Sequence, residues 1–170
     1  LTLVEHQIKH LLKFGCKEFI WICHFKADLF ENEKLYLLNK YRGLIEKINI
    51  YVETVPLSTF GSLLKSIKDS SSEEYLVLYG DIIFTFDLYR FYSDFKKFQY
   101  SDTHIFTRYS DHPEDSDKIE IDDNNYISKF ISKNSLTNPI DPPTTTSGIY
   151  IAKKEFFYKL QHWSGQKCDL

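Results

Sequence analysis

The segment formed by residues 74–87, EYLVLYGDIIFTFD, is the most informative part of the sequence. Residues 75–79 are a short apolar run rich in strand formers, which predicts a central β-strand that is buried on both faces. Asp81 follows that strand after Gly80, so we expect its carboxylate at the carboxyl end of the strand, where α/β sheets gather ligands. Gly80 allows a ligand to approach the backbone closely. Mg²⁺ commonly binds one or two carboxylates together with phosphate oxygens, which makes Asp81 a candidate metal ligand; the alternative is that Asp81 only caps a turn.

Length and composition restrict the class of protein. The 170 residues are expected to form one domain, and the 42% hydrophobic content is typical of a globular chain. A net charge of −3 without a basic block argues against a nucleic acid polymer as partner. Cys16, Cys23 and Cys168 lack the C-x-x-C spacing of zinc and redox sites, which predicts reduced thiols in a cytoplasmic protein. No apolar run approaches membrane-spanning length, and the absence of Met leads us to expect a fragment of a longer polypeptide.

Hydrophobic spacing predicts alternating helices and strands over residues 1–100. A capping box formed by Thr2 and Glu5 begins a helix that ends before Gly15. Further helices are predicted at residues 27–40, 59–67 and 88–98, and strands at residues 19–23, 48–52 and 75–79. This βαβα alternation predicts a mainly parallel sheet with helices on both faces.

The pattern changes after residue 100. Residues 118–122 and 126–131 flank Asp123, Asn124 and Asn125, a turn-rich linker that predicts an antiparallel hairpin. Further strands are predicted at residues 103–109 and 147–152, followed by a last helix. The second part of the domain is therefore expected to be more antiparallel.

The segment PLSTFGS, residues 56–62, follows the strand predicted at residues 48–52 and runs into the helix predicted at residues 59–67. Small and hydroxyl-bearing residues that open a helix can present backbone amides to a base or a phosphate. The alternative is an ordinary turn in which Ser58 or Thr59 caps the helix. Because this segment and Asp81 follow consecutive strands, we expect them to face one crevice.

Five segments carry a resemblance to the sugar-1-phosphate nucleotidyltransferases: VETVPLSTFGSLLKSI, YLVLYGDIIFTFDL, YSDHPEDSDKIEID, YISKFISK and TTTSGIYIAKKEF. Their order and approximate spacing resemble those of the family, and together they cover nearly the whole chain. The acidic run at residues 111–117 is most similar to the branch that makes GDP-mannose or GDP-D-glycero-D-manno-heptose.

The resemblance implies roles for individual residues. The nucleotide-binding residues are expected to be Pro56, Ser58, Thr59, Gly61 and Gly80. Asp81 is the expected Mg²⁺ ligand, and Lys133 is the expected partner of the sugar phosphate, so both are candidate catalytic residues. The sugar pocket is expected to be lined by Thr146, Ser147 and Gly148.

The resemblance also implies a fold and an activity. The fold is expected to be a three-layer, Rossmann-like α/β domain with a mostly parallel mixed sheet, in which residues 1–100 bind the nucleotide and residues 101–170 bind the sugar. The activity implied is nucleotidyl transfer from an NTP, here expected to be GTP, to a sugar 1-phosphate, with Mg²⁺ as cofactor and pyrophosphate as the second product. A cytoplasmic protein that forms a homo-oligomer is expected.

Several positions depart from the family pattern. Ser58 replaces a glycine, Phe60 replaces a small residue and is expected to narrow the base pocket, and Ser132 replaces a glutamate of the sugar site. The sequence also lacks the family's amino-terminal glycine-rich loop and the distal segment with the second metal-binding aspartate. These departures leave two alternatives open: a catalytically silent relative that binds a nucleotide sugar or regulates another subunit, and one domain of a longer bifunctional polypeptide.

Overall fold

Helices and strands alternate along the first half of the chain, as the hydrophobic spacing predicts. A computed structural model describes residues 1–54, 59–98, 100–110, 112, 114–133 and 144–160. The elements are α1 (Leu3–Lys13), β1 (Glu18–Cys23), α2 (Ala27–Lys40), β2 (Lys47–Val52), α3 (Thr59–Ser66), β3 (Glu74–Leu78), α4 (Leu88–Lys97), β4 (Thr103–Tyr109), β5 (Lys118–Ile121), β6 (Ile127–Ile131), β7 (Thr144–Lys153) and α5 (Lys154–Lys159). Within these described residues, no helix has the length and apolar character needed to cross a membrane.

Helix α1 begins at the predicted cap, because the Glu5 amide donates a hydrogen bond to Thr2 Oγ1 at 3.1 Å. The Glu5 carboxylate is only 2% exposed and contacts Lys40 Nζ at 2.6 Å. It also accepts a hydrogen bond of 3.1 Å from the Tyr41 hydroxyl. A buried charge is costly unless it is paired, and these partners compensate it while they link α1 to the end of α2.

The strands pair in both directions. β1 and β2 pair in parallel, from Glu18 opposite Lys47 to Cys23 opposite Val52. β7 lies between β3 and β4 and runs antiparallel to both, so β3 and β4 point in the same direction. β5 and β6 form the predicted hairpin. The α/β class is confirmed, and the pairing is more mixed than the βα alternation alone predicts because β7 inserts between two strands that share a direction.

Strand β7 shows why helices cover both faces of its sheet. Ile149 and Ile151 belong to a core cluster with residues of α1, α2 and α4, which we call the first core. Tyr150 and Ala152 belong to a second core with residues of α3 and α5. Successive side chains of a strand point to opposite faces. The alternation along β7 therefore produces the predicted three layers.

Phe60 lies in the second core. Its side chain is 2% exposed, and its ring centroid is 6.4 Å from that of Phe157 in a stacked arrangement. The expectation that Phe60 narrows a base pocket is therefore wrong, because the ring fills the interior between α3 and α5. The sequence alone does not show the direction of the Phe60 side chain, since the residue after Thr59 can point either into the protein interior or into the crevice.

A cavity of about 710 Å³ lies between β1 and β3. Every residue of both strands lines it, together with side chains from α1 and α3. All five residues of β3 are half-buried, so the strand predicted at residues 75–79 is present but is not buried on both faces. The cavity explains the difference, because β3 pairs with β7 along one edge and borders open space along the other.

Candidate active site

Asp81 lies in a turn directly after β3. Both Gly80 and Asp81 are exposed, and a Cβ atom built on Gly80 would meet no other atom within 4 Å. The residue before them, Tyr79, donates a backbone hydrogen bond of 3.1 Å to the Gly148 carbonyl of β7. The carboxylate of Asp81 is thus presented beside open space at the carboxyl end of β3, as the sequence predicts.

Gln7 is a buried polar residue that contacts this turn, and the sequence reasoning missed it. Its side chain is 6% exposed, and Nε2 donates hydrogen bonds to the carbonyl oxygens of Tyr79 at 3.1 Å and Ile82 at 2.8 Å. The signal in the sequence was a glutamine next to Ile8, on the side of α1 that faces the interior. An amide on the apolar side of a helix requires partners, and here both are main-chain carbonyls of the turn that carries Asp81.

The predicted sugar-site residues of β7 lie towards the end of the sheet at which β3 stops and the Asp81 turn begins. Ile149 is opposite Leu78, the last residue of β3, so the preceding residues of β7 extend beyond the end of β3. Gly148 has φ +73°, and a Cβ there would be 3.1 Å from the Tyr79 ring. The Ser147 hydroxyl donates a hydrogen bond of 2.8 Å to the Phe106 carbonyl of β4, and Thr146 is opposite Thr107. Gly148 therefore contacts the residue before the Gly80–Asp81 turn, while Ser147 and Thr146 continue β7 beyond the end of β3 and lie beside β4.

The predicted nucleotide-binding segment is described only in part. Pro56 and Ser58 lie outside the described residues, whereas Thr59 and Gly61 occupy the first turn of α3, half-buried and buried respectively. The Ser62 hydroxyl of the same turn donates a hydrogen bond to the Glu53 carboxylate, directly after β2. Glu53 was not among the predicted site residues; an acidic residue immediately after a strand was the available signal.

The ends of β1 and β2 are joined beside this helix turn. The Glu53 amide donates a hydrogen bond of 2.8 Å to the Cys23 carbonyl, and His24 Nδ1 lies 3.1 Å from the Glu53 carbonyl oxygen. Cys23 is a free thiol at this point, and burial raises its pKa, which keeps it protonated at neutral pH. Burial therefore disfavours the thiolate, which is the reactive form of a cysteine.

Lys133 follows β6 and is exposed. Its backbone amide donates a hydrogen bond of 2.7 Å to Asp117 Oδ1, and the Asp117 carbonyl accepts one of 2.6 Å from the Thr145 hydroxyl. These bonds hold the hairpin against the start of β7. In the part of the chain that the structure describes, no hydrogen bond or ion pair joins Lys133 to Asp81, so the structure does not bring these two predicted residues into contact.

The described residues fit a metal ion that is shared with a substrate better than one that is held by protein side chains alone. They contain no group of three or more His, Cys, Asp or Glu side chains that could hold a metal ion. Mg²⁺ is usually bound by one or two carboxylates plus the phosphates of a substrate, rather than by an all-protein cage. A single exposed carboxylate on a turn beside open space, as at Asp81, fits a cation that is shared with a nucleotide.

Comparisons with known proteins identify the family of the chain. The sequence model described as nucleotidyl transferase matches residues 1–168. The chain is 30% identical over 153 residues to the mannose-1-phosphate guanylyltransferase catalytic subunit beta of Drosophila melanogaster; the match covers 86% of this chain and 38% of that protein.

Solved structures of other proteins have similar folds. HddC from Yersinia pseudotuberculosis complexed with GMP-PN superposes with a TM-score of 0.67 and 21% identity over 91% of this chain and 64% of that one. A glucose-1-phosphate thymidylyltransferase of Bacillus anthracis, described as putative and in complex with a sucrose, gives 0.74 and 16% identity over 94% and 61%. This chain therefore spans about two fifths of the curated relative and under two thirds of each of these two solved chains.

Proposed function

This chain belongs to the nucleotidyl transferase family, and from that premise we propose that the complete protein transfers a nucleotidyl group from an NTP to a sugar 1-phosphate. The observation that carries the proposal is the exposed Asp81 carboxylate, which follows β3 beside the open space over Gly80. The Rossmann-like α/β fold gathers ligands at the carboxyl ends of its strands, and Asp81 lies at such an end. The resemblance of the sequence segments to sugar-1-phosphate nucleotidyltransferases supports the sugar 1-phosphate as acceptor.

The reaction requires alignment rather than covalent catalysis by the protein. An oxygen of the sugar phosphate attacks the α-phosphorus of the NTP, a new P–O bond forms, and the bond from that phosphorus to the bridging oxygen breaks as pyrophosphate leaves. Two anions must approach each other in line, so positioning and charge neutralisation supply most of the rate enhancement. Mg²⁺, when bound, would supply positive charge at the α-phosphate.

The residues of this chain have distinct roles in the proposal. Asp81 holds the cation, and the ammonium group of Lys133 pairs with the sugar phosphate. Thr59 and Gly61 border the base at the first turn of α3. Thr146 and Gly148 line the sugar pocket. In this assignment, residues 1–100 bind the nucleotide and residues 101–170 bind the sugar.

We propose GTP as the nucleotide and mannose 1-phosphate as the first sugar to test. The support is the curated relative, which is a mannose-1-phosphate guanylyltransferase, and the solved HddC structure, which is complexed with GMP-PN. The thymidylyltransferase among the structural neighbours shows that the fold alone does not determine the base. The NTP and the sugar are therefore independent variables of the experiment.

The test is a pyrophosphate-release assay on the complete gene product with each NTP and a panel of sugar 1-phosphates in the presence of Mg²⁺. We expect turnover with GTP and mannose 1-phosphate or D-glycero-D-manno-heptose 1-phosphate. Asp81→Asn keeps the shape of the side chain and removes its charge, so it should leave the melting temperature unchanged and lower kcat at least about a hundredfold. The proposal would be contradicted if no combination of NTP and sugar 1-phosphate released pyrophosphate, or if Asp81→Asn kept full activity.

A catalytically silent relative is the second candidate, and Ser132 favours it because this residue replaces the glutamate of the family's sugar site. Calorimetric titration separates the two candidates. A silent binder would take up the nucleotide sugar with measurable heat while it released no pyrophosphate from GTP.

A further inference from the structure

Gln7 makes two hydrogen bonds, and their acceptors lie on either side of Asp81 in the sequence. The single atom Nε2 donates to the carbonyl of Tyr79, two residues before Asp81, and to the carbonyl of Ile82, one residue after it. The donor and its acceptors are separated by 72 and 75 positions in the sequence, so the contact joins α1 to the turn after β3. The side chain is 6% exposed, which shields both bonds from water.

Few other hydrogen bonds reach the turn. Its amino-terminal side is held by the Tyr79 amide, which donates to the Gly148 carbonyl. Between residues 80 and 86, the hydrogen bond from Gln7 to Ile82 is the one that reaches the backbone from another described residue. Ile82 and Phe84 pack in the first core, but apolar packing does not fix the orientation of a peptide plane. Gly80 has the greatest backbone freedom of any residue type, so without the bond from Gln7 the peptide planes of the turn could rotate.

We propose that Gln7 is a positioning residue for Asp81. Because Gln7 Nε2 donates to the carbonyls of both Tyr79 and Ile82, it fixes the peptide planes on both sides of Gly80 and Asp81. The Asp81 carboxylate then remains at the exposed apex of the turn. This inference rests on the proposed function, because a fixed carboxylate matters only if Asp81 binds a cation. Groups that orient a metal ligand typically change metal affinity or activity 10- to 100-fold when they are removed.

A purely structural role for Gln7 predicts a different result. In that case the loss of the amide would lower stability, while folded molecules would bind metal and turn over as the wild type does. Gln7→Met keeps the length of the side chain and removes both donors, and Gln7→Glu keeps its shape and replaces the amide by a group that cannot donate when ionised. Thr103→Val is the matched control, since it removes a half-buried hydroxyl that donates to the Ile151 carbonyl at 3.1 Å on the same sheet.

The experiment uses the complete gene product and measures Mn²⁺ binding by the loss of the free-ion electron paramagnetic resonance signal, with an α,β-methylene analogue of GTP present. We expect Gln7→Met and Gln7→Glu to weaken Mn²⁺ binding at least tenfold, and Thr103→Val to leave it within twofold. In pyrophosphate release, the same two variants should lower kcat and raise the Mg²⁺ concentration for half-maximal rate, with KM for the sugar 1-phosphate within twofold of wild type.

Asp81→Asn distinguishes the failure of this inference from the failure of the proposed function. If Asp81→Asn abolishes Mn²⁺ binding while both Gln7 variants bind as wild type does, Asp81 is a metal ligand and the role of Gln7 is overturned alone. If Asp81→Asn binds Mn²⁺ as wild type does, the metal assignment fails and the positioning role fails with it. If one Gln7 variant does not fold, the other one decides the question.

Discussion

Gly148 combines a left-handed backbone conformation with a close aromatic neighbour. Its φ is +73°, and a Cβ atom would be 3.1 Å from the ring of Tyr79, whose amide also donates to the Gly148 carbonyl. An L-residue in such a conformation costs about 1–3 kcal/mol. We expect Gly148→Ala to lower the free energy of unfolding by about that amount in urea titrations.

Gly80→Ala is the control for that substitution. Gly80 does not have a positive φ, and its missing Cβ would meet no atom within 4 Å. Replacement of such a glycine by alanine reduces the entropy of the unfolded chain. The free energy of unfolding of Gly80→Ala should therefore be unchanged or raised by up to about 1 kcal/mol. Equal losses of stability in the two variants would contradict the assignment of strain to Gly148.

Single residues show what the sequence could and could not predict about the site. The position of Asp81 after β3 was predictable because a charged residue after an apolar run marks the end of a strand. Gln7 was not, because its partners are main-chain carbonyls more than 70 positions away and no pattern in α1 names them. Phe60 was misassigned because helical spacing alone does not say whether a residue at the first turn points into the crevice or into the core.

Helix α1 is attached to α2 through the buried carboxylate of Glu5. The hydrogen bond from Lys40, which outweighs the effect of burial, holds the pKa of Glu5 below its ordinary value. A group whose pKa is lower in the folded than in the unfolded state stabilises the fold above its unfolded pKa, and this contribution is lost as the pH falls through the folded value. The protein should therefore lose stability on acidification from about pH 5 downward, in the range where carboxylates titrate.

Glu5→Gln tests this link. The variant should be less stable than the wild type at pH 7, and the difference between them should shrink as the pH falls through the lowered pKa of the folded-state Glu5 carboxyl, where the wild-type side chain becomes protonated. Glu46→Gln is the matched control, because Glu46 also contacts a lysine, Lys17, but both side chains are more than half exposed. Urea unfolding between pH 3 and pH 7 measures both variants, and parallel pH profiles for Glu5→Gln and the wild type would refute the link.

The elements differ in how far the sequence determined them. Helices α1, α2 and α4 and the β5–β6 hairpin depend on local spacing, caps and turn residues, and they occur where those signals predict them. The position of β7 depends on contacts with β3 and β4, which lie far away in the sequence. Apolar alternation identifies a strand but does not say which strands it will pair with, so the insertion of β7 between β3 and β4 could not be read from the sequence.

The two cores meet across β7, and this shared strand bears on how the whole molecule unfolds. Ile149 and Ile151 pack into the first core, while Tyr150 and Ala152 pack into the second. Neither core can lose its contacts with β7 without disturbing the backbone that the other core uses. We therefore expect the described part of the chain to unfold in one cooperative transition.

Phe157→Ala tests the coupling of the two cores. Phe157 is fully buried in the second core, where its ring contacts those of Phe60 and Tyr75, and its truncation should cost about 3–5 kcal/mol. Trp21 packs against the first core, so its fluorescence reports on the opposite face of the sheet. In a background where Trp21 is the only tryptophan, Phe157→Ala should shift the unfolding midpoints of Trp21 fluorescence and far-ultraviolet circular dichroism by the same amount. A Trp21 transition that stays at the wild-type midpoint, while circular dichroism reports earlier unfolding, would mean that the two cores unfold separately and that β7 does not couple them.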